Sequence, residues 1–515
     1  MKAQSLVGLL GILLAALTAE FNDGVTNAAL NDIQGGLRIS HDAGTWIESL
    51  YATGQVIGMS MATFWAVTVS VRRFAIFAVI LNGVTTVLIP LSAELAWLYG
   101  LRIIEGMAAG FTIPLLLTVA LRVLPPPIRL YGLSAYALTA TFGPNIATTL
   151  AALWTDLVDW RFVFWEALPL CGLAGTMIWY GVAQDPPQYD RISKFDWPGA
   201  LLIVIGAGSL TTMLEQGNRY DWFNSPTICV LATLSVAGFG LLLVNETRQE
   251  LPLYRFDLLK RRNFAYALIA LFVFLLLNLG VSTLPASFLR EAGFRPEQIQ
   301  FISLPIALSQ LITLPAVAYL LDFRRVDPRV VSFAGILLVM AAALGNSFIT
   351  SGWQLEQFYL WEACAALGES LIVMPLLMMA TNTIRDPADG PFTSTLVNTM
   401  RAIAQPTGVW MVQLITRWRG SLHYNRLADQ AGLNRFSVLQ APGLLPGNPP
   451  PFLPNGEPGP GGGAEVYRAA VEAQAMVLTL ADGFLIIAGL ALALVVVLLI
   501  LPVRTYPPRI ELAEK

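Results

Sequence analysis

Apolar residues run in long blocks along this chain, punctuated by short polar or charged connections. The blocks approach or exceed the roughly 20 residues that a helix needs to cross the hydrocarbon of a bilayer. A helix satisfies its own backbone there, so blocks of this kind read as membrane spans. The pattern predicts fourteen spans, at about 6–30, 45–69, 73–93, 96–122, 131–153, 161–183, 197–215, 225–245, 264–289, 299–321, 329–350, 354–382, 392–416 and 476–502. The ends of 197–215 and 225–245 are the least sharply marked.

Lysine and arginine set the expected orientation. One set of short connections carries fifteen of them, from Arg72 and Arg73 through Arg122, Arg191, Lys194 and Arg255 to Arg385. The opposite set carries five: Arg38, Arg161, Arg219, Arg290 and Arg295. The first set is therefore expected in the cytoplasm, with both termini beside it, as an even number of spans requires. The terminal LPVRTYPPRIELAEK adds Arg504 and Arg509 to that side. Lys2 followed by Leu6–Leu17 has the look of a signal peptide, but the run continues into patterned polar residues and reads better as a packed span.

Two stretches break the pattern. Residues 185–262 hold a charged linker (QDPPQYDRISKFDW from Gln184), two spans and a second charged segment. Residues 417–475 form the one long connection, expected outside, in the periplasm of a Gram-negative source. Its tract GLLPGNPPPFLPNGEPGPGGG cannot pack a core and is expected to be extended or disordered. A short helical pattern, AEVYRAAVEAQAMV, follows it. A weak internal repeat is also present. IPLLL at 113–117 is echoed by MPLLM at 374–378, and Gly143-Pro144 by Gln405-Pro406. The expected fold is an all-α polytopic membrane protein of two six-helix halves, 1–184 and 263–515, separated by an inserted helix pair in 185–262. Parallel repeats of this kind mark one large transporter fold.

Composition narrows the function. The chain is 55% hydrophobic and 13% charged, with a mean hydropathy of +0.62 and a formal charge of −3. Soluble domains carry about 25% charge. No basic block suits nucleic acid. The four lysines, Lys2, Lys194, Lys260 and Lys515, are not followed by Ser or Thr, so no Walker A loop is present. With only His41 and His423, no HExxH and no paired cysteines, neither a metal nor a cofactor is expected. No channel filter and no GxSxG elbow occurs, so neither a channel nor an enzyme is expected. Cys171, Cys229 and Cys364 sit in apolar runs and are expected to be buried free thiols.

Ionic residues inside apolar runs carry the candidate chemistry, because a charge at mid-bilayer costs several kcal/mol, from about 3 to more than 10. The fourth span, LRIIEGMAAGFTIP, holds Arg102 and Glu105 three residues apart, in reach of each other. Gly106, Gly110 and Pro114 continue the four-residue spacing from Arg102 and let a neighbouring helix come close. The first span offers Glu20, Asn22, Asp23 and Asn27, the sixth Glu166, the twelfth Glu362 and Glu369, and the thirteenth Arg401. For Glu20 and Glu166 the plainer reading is a helix-end residue or a structural hydrogen bond. Phe142, Trp361 and other aromatics are candidates for an apolar cargo wall, or for packing.

These residues resemble a known family: the fourteen-span drug:proton antiporters of the major facilitator superfamily, in particular the EmrB-like branch. LRIIEGMAAGFTIP is similar to that family's fourth-span motif, NDGVTNAALNDIQGGL to its first-span motif, and YGLSAYALTATFGPNIATTL to its fifth-span antiporter motif around Gly143 and Pro144. DWRFVFWEALPLCG, MLEQGNRYDWF and FDLLKRRNF follow in the family's order, and NTMRAIAQPTG places Arg401 at its thirteenth-span arginine. The chain departs from the pattern in several places, among them Glu105, which stands where the family often has a neutral residue. The family's first-span acid falls on Asn22, with Asp23 next. TFWAVTVSVRRF lacks the Gly and Asp of the gate motif. Ala147-Thr148 replaces Gly-Gly.

The resemblance implies a secondary exporter that exchanges small amphipathic or apolar compounds for protons across the inner membrane. It also implies a HlyD-type periplasmic adaptor and, through it, an outer-membrane channel. A dedicated exporter of an endogenous metabolite or siderophore, or a non-transporting scaffold or receptor, would share the fold. In this fold the first and fourth spans meet near the cavity, so Asp23 and Arg102 are expected to form the coupling centre, with Glu105 modulating it. Asn27, Glu362, Glu369, Arg401, Phe142 and Trp361 are the expected cargo-cavity residues.

Overall fold

The computed structural model describes residues 3–92, 94–125, 128–249, 251–384, 389–433 and 463–505. Its regular elements are all helical. Fourteen long helices are numbered here in chain order: α1 Ala3–Ala28, α2 His41–Val69, α3 Val71–Leu88, α4 Leu95–Val123, α5 Arg129–Leu157, α6 Phe162–Gly181, α7 Trp197–Gln216, α8 Pro226–Glu246, α9 Arg262–Glu291, α10 Pro296–Asp322, α11 Pro328–Asn346, α12 Leu355–Thr381, α13 Asp389–Leu433 and α14 Gly463–Ile500. Among the described residues, eleven of them have the length and apolarity to cross a membrane; α2, α5 and α13 do not reach that apolarity. Each of these three meets the other half of the molecule or lines its centre, so polar residues are expected in them. The chain is a multi-pass membrane protein.

Caps mark several helix starts. Ser40 accepts a hydrogen bond from Ala43 N at the head of α2, Asp196 from Gly199 N at α7, and Asp327 from Arg329 N at α11. The first-span motif does not stay in one helix. After α1 a separate short helix, Leu30–Leu37, ends at Arg38 in a left-handed conformation, φ 55°.

The packing repeats. In the first half α1 meets α4, α5 and α6, α2 meets α4, and α3 meets α4 and α6. In the second half α9 meets α12, α13 and α14, α10 meets α12, and α11 meets α12 and α14. Each contact in one set maps onto one in the other by the same helix correspondence. The halves join through α5 against α10 and α2 against α13, which that correspondence also interchanges. Helices α7 and α8 pair with each other, and α7 leans on α2 and α13.

Both described chain ends lie at one end of the bundle. Gln4 Nε2 donates to Tyr180 O (2.8 Å), and Arg262 Nη2 to Ile500 O (2.8 Å). The linker is there too, with Gln188 N bonded to Thr68 O at 2.8 Å.

Two expectations need correction. The thirteenth span was expected to stop at 416, but α13 continues as helix to Leu433. Its 45 residues span about 68 Å at 1.5 Å per residue, twice the hydrocarbon thickness. Arg419 and His423 reach Asp482 of α14 (2.6 and 2.5 Å) and stitch the extension to its neighbour. The helical pattern expected at 464–477 is the start of α14. Residues 434–462, with nearly all of the Pro/Gly-rich tract, lie outside the described residues. The thiols are all free, but only Cys171 is buried; Cys229 is exposed and Cys364 intermediate. Cys229 stands on an outer helix face, whereas Cys364 is partly buried and packs against the core.

Candidate functional site

Close helix contact sets the site's floor. A Cβ on Gly106 of α4 would lie 2.1 Å from Tyr51 O of α2, and one on Gly110 would lie 2.4 Å from Gln55 O. Gly54 and Gly58 of α2 face α4 in the same way, at 2.2 and 2.5 Å from Ile103 O and Met107 O. Only hydrogen side chains fit here, and they draw α4 hard against α2. Pro114 continues that face within α4.

Behind this contact lies a buried ionic cluster. Arg102 and Glu105 are both 0% exposed and form an ion pair. Glu105 Oε1 also accepts from Thr86 Oγ1 (2.8 Å) and Asn22 Nδ2 (3.2 Å), and Arg102 Nε donates to Ile47 O (3.1 Å). The guanidinium stands 4.5 Å from the Tyr51 ring centre. Asn22 thus donates to Glu105. Asp23 points elsewhere and makes no hydrogen bond or ion pair among the described residues. The expected direct Asp23–Arg102 pair is not formed; the guanidinium is held by Glu105 through Nη1 and by Ile47 O through Nε. The two remain within electrostatic reach.

A second ion pair crosses between the halves. Arg401 of α13 is bonded through Nη2 to Glu20 Oε1 of α1 and through Nη1 to Thr139 Oγ1 of α5, each at 2.7 Å. Arg401 is 0% exposed and Glu20 2%. Tyr136 OH donates to Asn398 Oδ1 at 2.9 Å. Tyr136 and Asn398, like Thr139 and Arg401, are 262 residues apart, the offset of the Pro144–Pro406 echo. Residues equivalent by the repeat touch each other, which places them on the axis relating the halves. Gly143 makes room for Glu20, whose Cβ would be 2.8 Å from a Cβ there.

Above this pair opens a cavity of about 340 Å³ between the halves, at the end of the bundle away from the chain ends. Helices α1, α2, α5, α7, α9, α10, α12 and α13 contribute to it. Its charged lining is Glu20, Asp23, Glu48, Glu215, Glu362 and Arg290. Asn27, Pro144 and Pro406 line it as well, the two prolines being repeat equivalents.

Of the expected cavity residues, Asn27 and Glu362 are in the lining, and Arg401 lies beneath it, tied to Glu20. Glu369 is buried outside the lining and accepts from Gln310 Nε2 at 2.9 Å. Phe142 is not in the lining and packs on Phe21. Trp361 is not in it either; its ring lies over Gly345, 2.3 Å from where a Cβ there would stand. Among the described residues, no aromatic side chain lines the cavity. Glu166, near the start of α6, accepts a hydrogen bond from Trp154. Two lining carboxylates, Glu48 and Glu215, escape sequence reasoning, because each lies close to a helix end and resembles an interfacial residue.

The opposite end of the bundle is shut. Asp389, at the head of α13, takes Arg255 and Arg261 of the α8–α9 connection at 2.8 Å each. Thr399 Oγ1 meets Ser60 Oγ (3.3 Å) and Tyr254 OH (3.2 Å), and Ser394 Oγ donates to Pro114 O (3.3 Å).

A polar cavity between two repeated halves, open at one end and sealed at the other, is the arrangement of an alternating-access transporter. The sequence pattern of the Major Facilitator Superfamily matches residues 12–409. The chain belongs to the Major Facilitator Superfamily. This is a transporter family, not one of enzymes. The chain is 25% identical to "Multidrug export protein EmrB" of Escherichia coli K12, over 83% of each chain. It is 24% identical to "Probable multidrug resistance protein EmrY" of the same strain, over 83% of this chain and 82% of that one. It is 23% identical to "Fatty acid resistance protein FarB" of Neisseria gonorrhoeae, over 81% and 82%. In fold it is similar to the human organic anion transporter MFSD10, with a TM-score of 0.56 and 15% identity over 95% of this chain and 100% of that one.

Proposed function

We propose that this superfamily member is a proton-coupled secondary exporter of small amphipathic compounds, with both termini cytoplasmic in an inner (plasma) membrane. The observation that carries the reading is the cavity: it lies between the halves, is sealed toward the chain ends and is lined by carboxylates. The relatives named for drug and fatty acid resistance support an exporter. The halves take residues 1–184 and 263–515, with the inserted pair in 185–262. Asp23 is the proton site. It faces the cavity without a direct partner, and Arg102 and Glu105 act on it from behind. Asn22 links the two, being next to Asp23 in sequence and bonded to Glu105. The outer arms of α13 and α14 and the segment between them are the docking place for a HlyD-type adaptor leading to an outer-membrane channel.

Proton-driven uptake into inside-out vesicles tests the coupling. Asp23→Asn is expected to abolish uphill transport while keeping cargo binding. Full coupling in Asp23→Asn with loss in Glu105→Gln would move the proton site to α4. Coupling intact in both would refute the proposal.

A further inference from the structure

We propose that the cavity selects an amphipathic organic cation bearing a hydrogen-bond acceptor, and that Glu48 of α2 and Glu215 of α7 set this charge preference. The inference rests on the exporter reading and names its cargo class.

The charge balance of the lining comes first. Glu20 is already neutralised by Arg401. Asp23, Glu48, Glu215 and Glu362 remain, and none makes an ion pair among the described residues. Against them stands Arg290, within electrostatic reach of Glu48. Asp23, Glu48 and Glu215 converge from three helices and act on one another. Ionising one of these buried, mutually repelling carboxylates is easier with a cation beside it and harder with an anion, so the cavity favours a cation over an anion.

A second, independent feature points to a ligand. Gln55 lines the same cavity seven residues after Glu48, on the same face of α2. It is only 3% exposed, and its Nε2 has no hydrogen-bond partner. A buried amide donor left unpaired is costly, and an acceptor on a bound molecule would satisfy it. Ala28, Leu289, Ile299, Ile302 and Val409 give part of the wall an aliphatic face suited to an apolar body. The volume of about 340 Å³ falls in the range of small-molecule sites.

Glu215 gives the inserted pair a role. It is the penultimate residue of α7, and α7 packs against α2, which brings the carboxylate beside Glu48.

The test uses the full-length protein in proteoliposomes with an imposed proton gradient. The probes are rhodamine 6G (a cation with an ester acceptor), tetraphenylphosphonium (a cation without one), decanoate and the neutral dye N-phenylnaphthylamine. Both cations should be transported in preference to decanoate. The Glu48→Gln/Glu215→Gln protein should bind both cations about tenfold more weakly. Gln55→Leu should weaken rhodamine 6G and spare tetraphenylphosphonium. A cooperative thermal transition in each variant checks folding, and Glu215→Asp should retain cation binding. Transport of no probe would refute the exporter reading itself. Transport of decanoate or the neutral dye without either cation would keep the exporter and overturn the cation assignment. Cation affinity unchanged in the folded double variant would also overturn it.

Discussion

Arg401 shows what one residue does when it must serve two partners. Its two terminal nitrogens point to Glu20 and Thr139, on helices of the opposite half. Lysine is a single point charge on a flexible stem and cannot hold both directions at once. Removing the arginine leaves Glu20 buried and uncompensated, a loss of about 3–5 kcal/mol. Arg401→Met should therefore lower the unfolding midpoint in detergent sharply, and Arg401→Lys less so. Adding Glu20→Gln to Arg401→Met should recover most of the loss; no recovery would mean that the pair is not what holds the halves here. The sequence exposed Arg102 and Glu105 because a helix-spaced ionic pair stands out in an apolar run. It could not pair Glu20 with Arg401, which are 381 residues apart and carry no local sign of each other. Glu48 and Glu215 stayed hidden for a related reason: only the packing of α7 on α2 turns two helix-end acids into a cavity wall.

Among elements, α4 and α2 meet along a glycine-lined seam. With Tyr51 O 2.1 Å from where a Gly106 Cβ would stand, a side chain there must push the helices apart. The atom in the way is backbone and cannot swing aside. Gly106→Val should cost a few kcal/mol through that overpacking and should also disturb the Arg102 cluster on the same face. Purified yield and monodispersity in detergent would report it; a protein as stable as the parent would show that α4 has room to shift. This contact was legible from the glycine spacing, whereas the length of α13 was not. Arg417, Arg419 and His423 end the apolar run, but they do not end the helix, because Asp482 receives two of them.

Helix α11 offers a pH test outside the membrane. Burial raises the Asp327 carboxyl, but hydrogen bonds from the Arg329 side chain and backbone, helped by the charges of Arg329 and Arg504, outweigh it and hold the group below its ordinary 3.8. A depressed carboxylate contributes its stability above the ordinary value and loses it as pH falls through the lowered one. Asp327→Ala should thus lower the melting temperature at neutral pH, by the equivalent of about 1 kcal/mol for the lost cap. The gap from the parent should narrow on acidification toward about pH 3. A gap independent of pH would assign the effect to the cap alone.

At the scale of the whole molecule, the halves meet at residues that the repeat makes equivalent. Of the two sequence echoes, Pro144–Pro406 has the 262-residue offset of the contacts on the axis, and IPLLL–MPLLM falls one residue short of it. The contact symmetry could only be seen in the fold. Among the described residues, Ser60 and Thr399 belong to opposite halves and meet at 3.3 Å on the sealed side. Opening that side must separate them, if transport proceeds by rocking one half against the other. In a protein with Cys171, Cys229 and Cys364 replaced by serine, Ser60→Cys and Thr399→Cys should cross-link readily on oxidation, since the two side-chain atoms are already in contact. The cross-linked protein should still bind cargo from the open end but should not transport it. Reduction should restore transport, and each single cysteine should transport like the parent. Undiminished transport with the bond formed would show that the sealed side does not open here, and that cargo crosses by a path other than a rocking of the two halves.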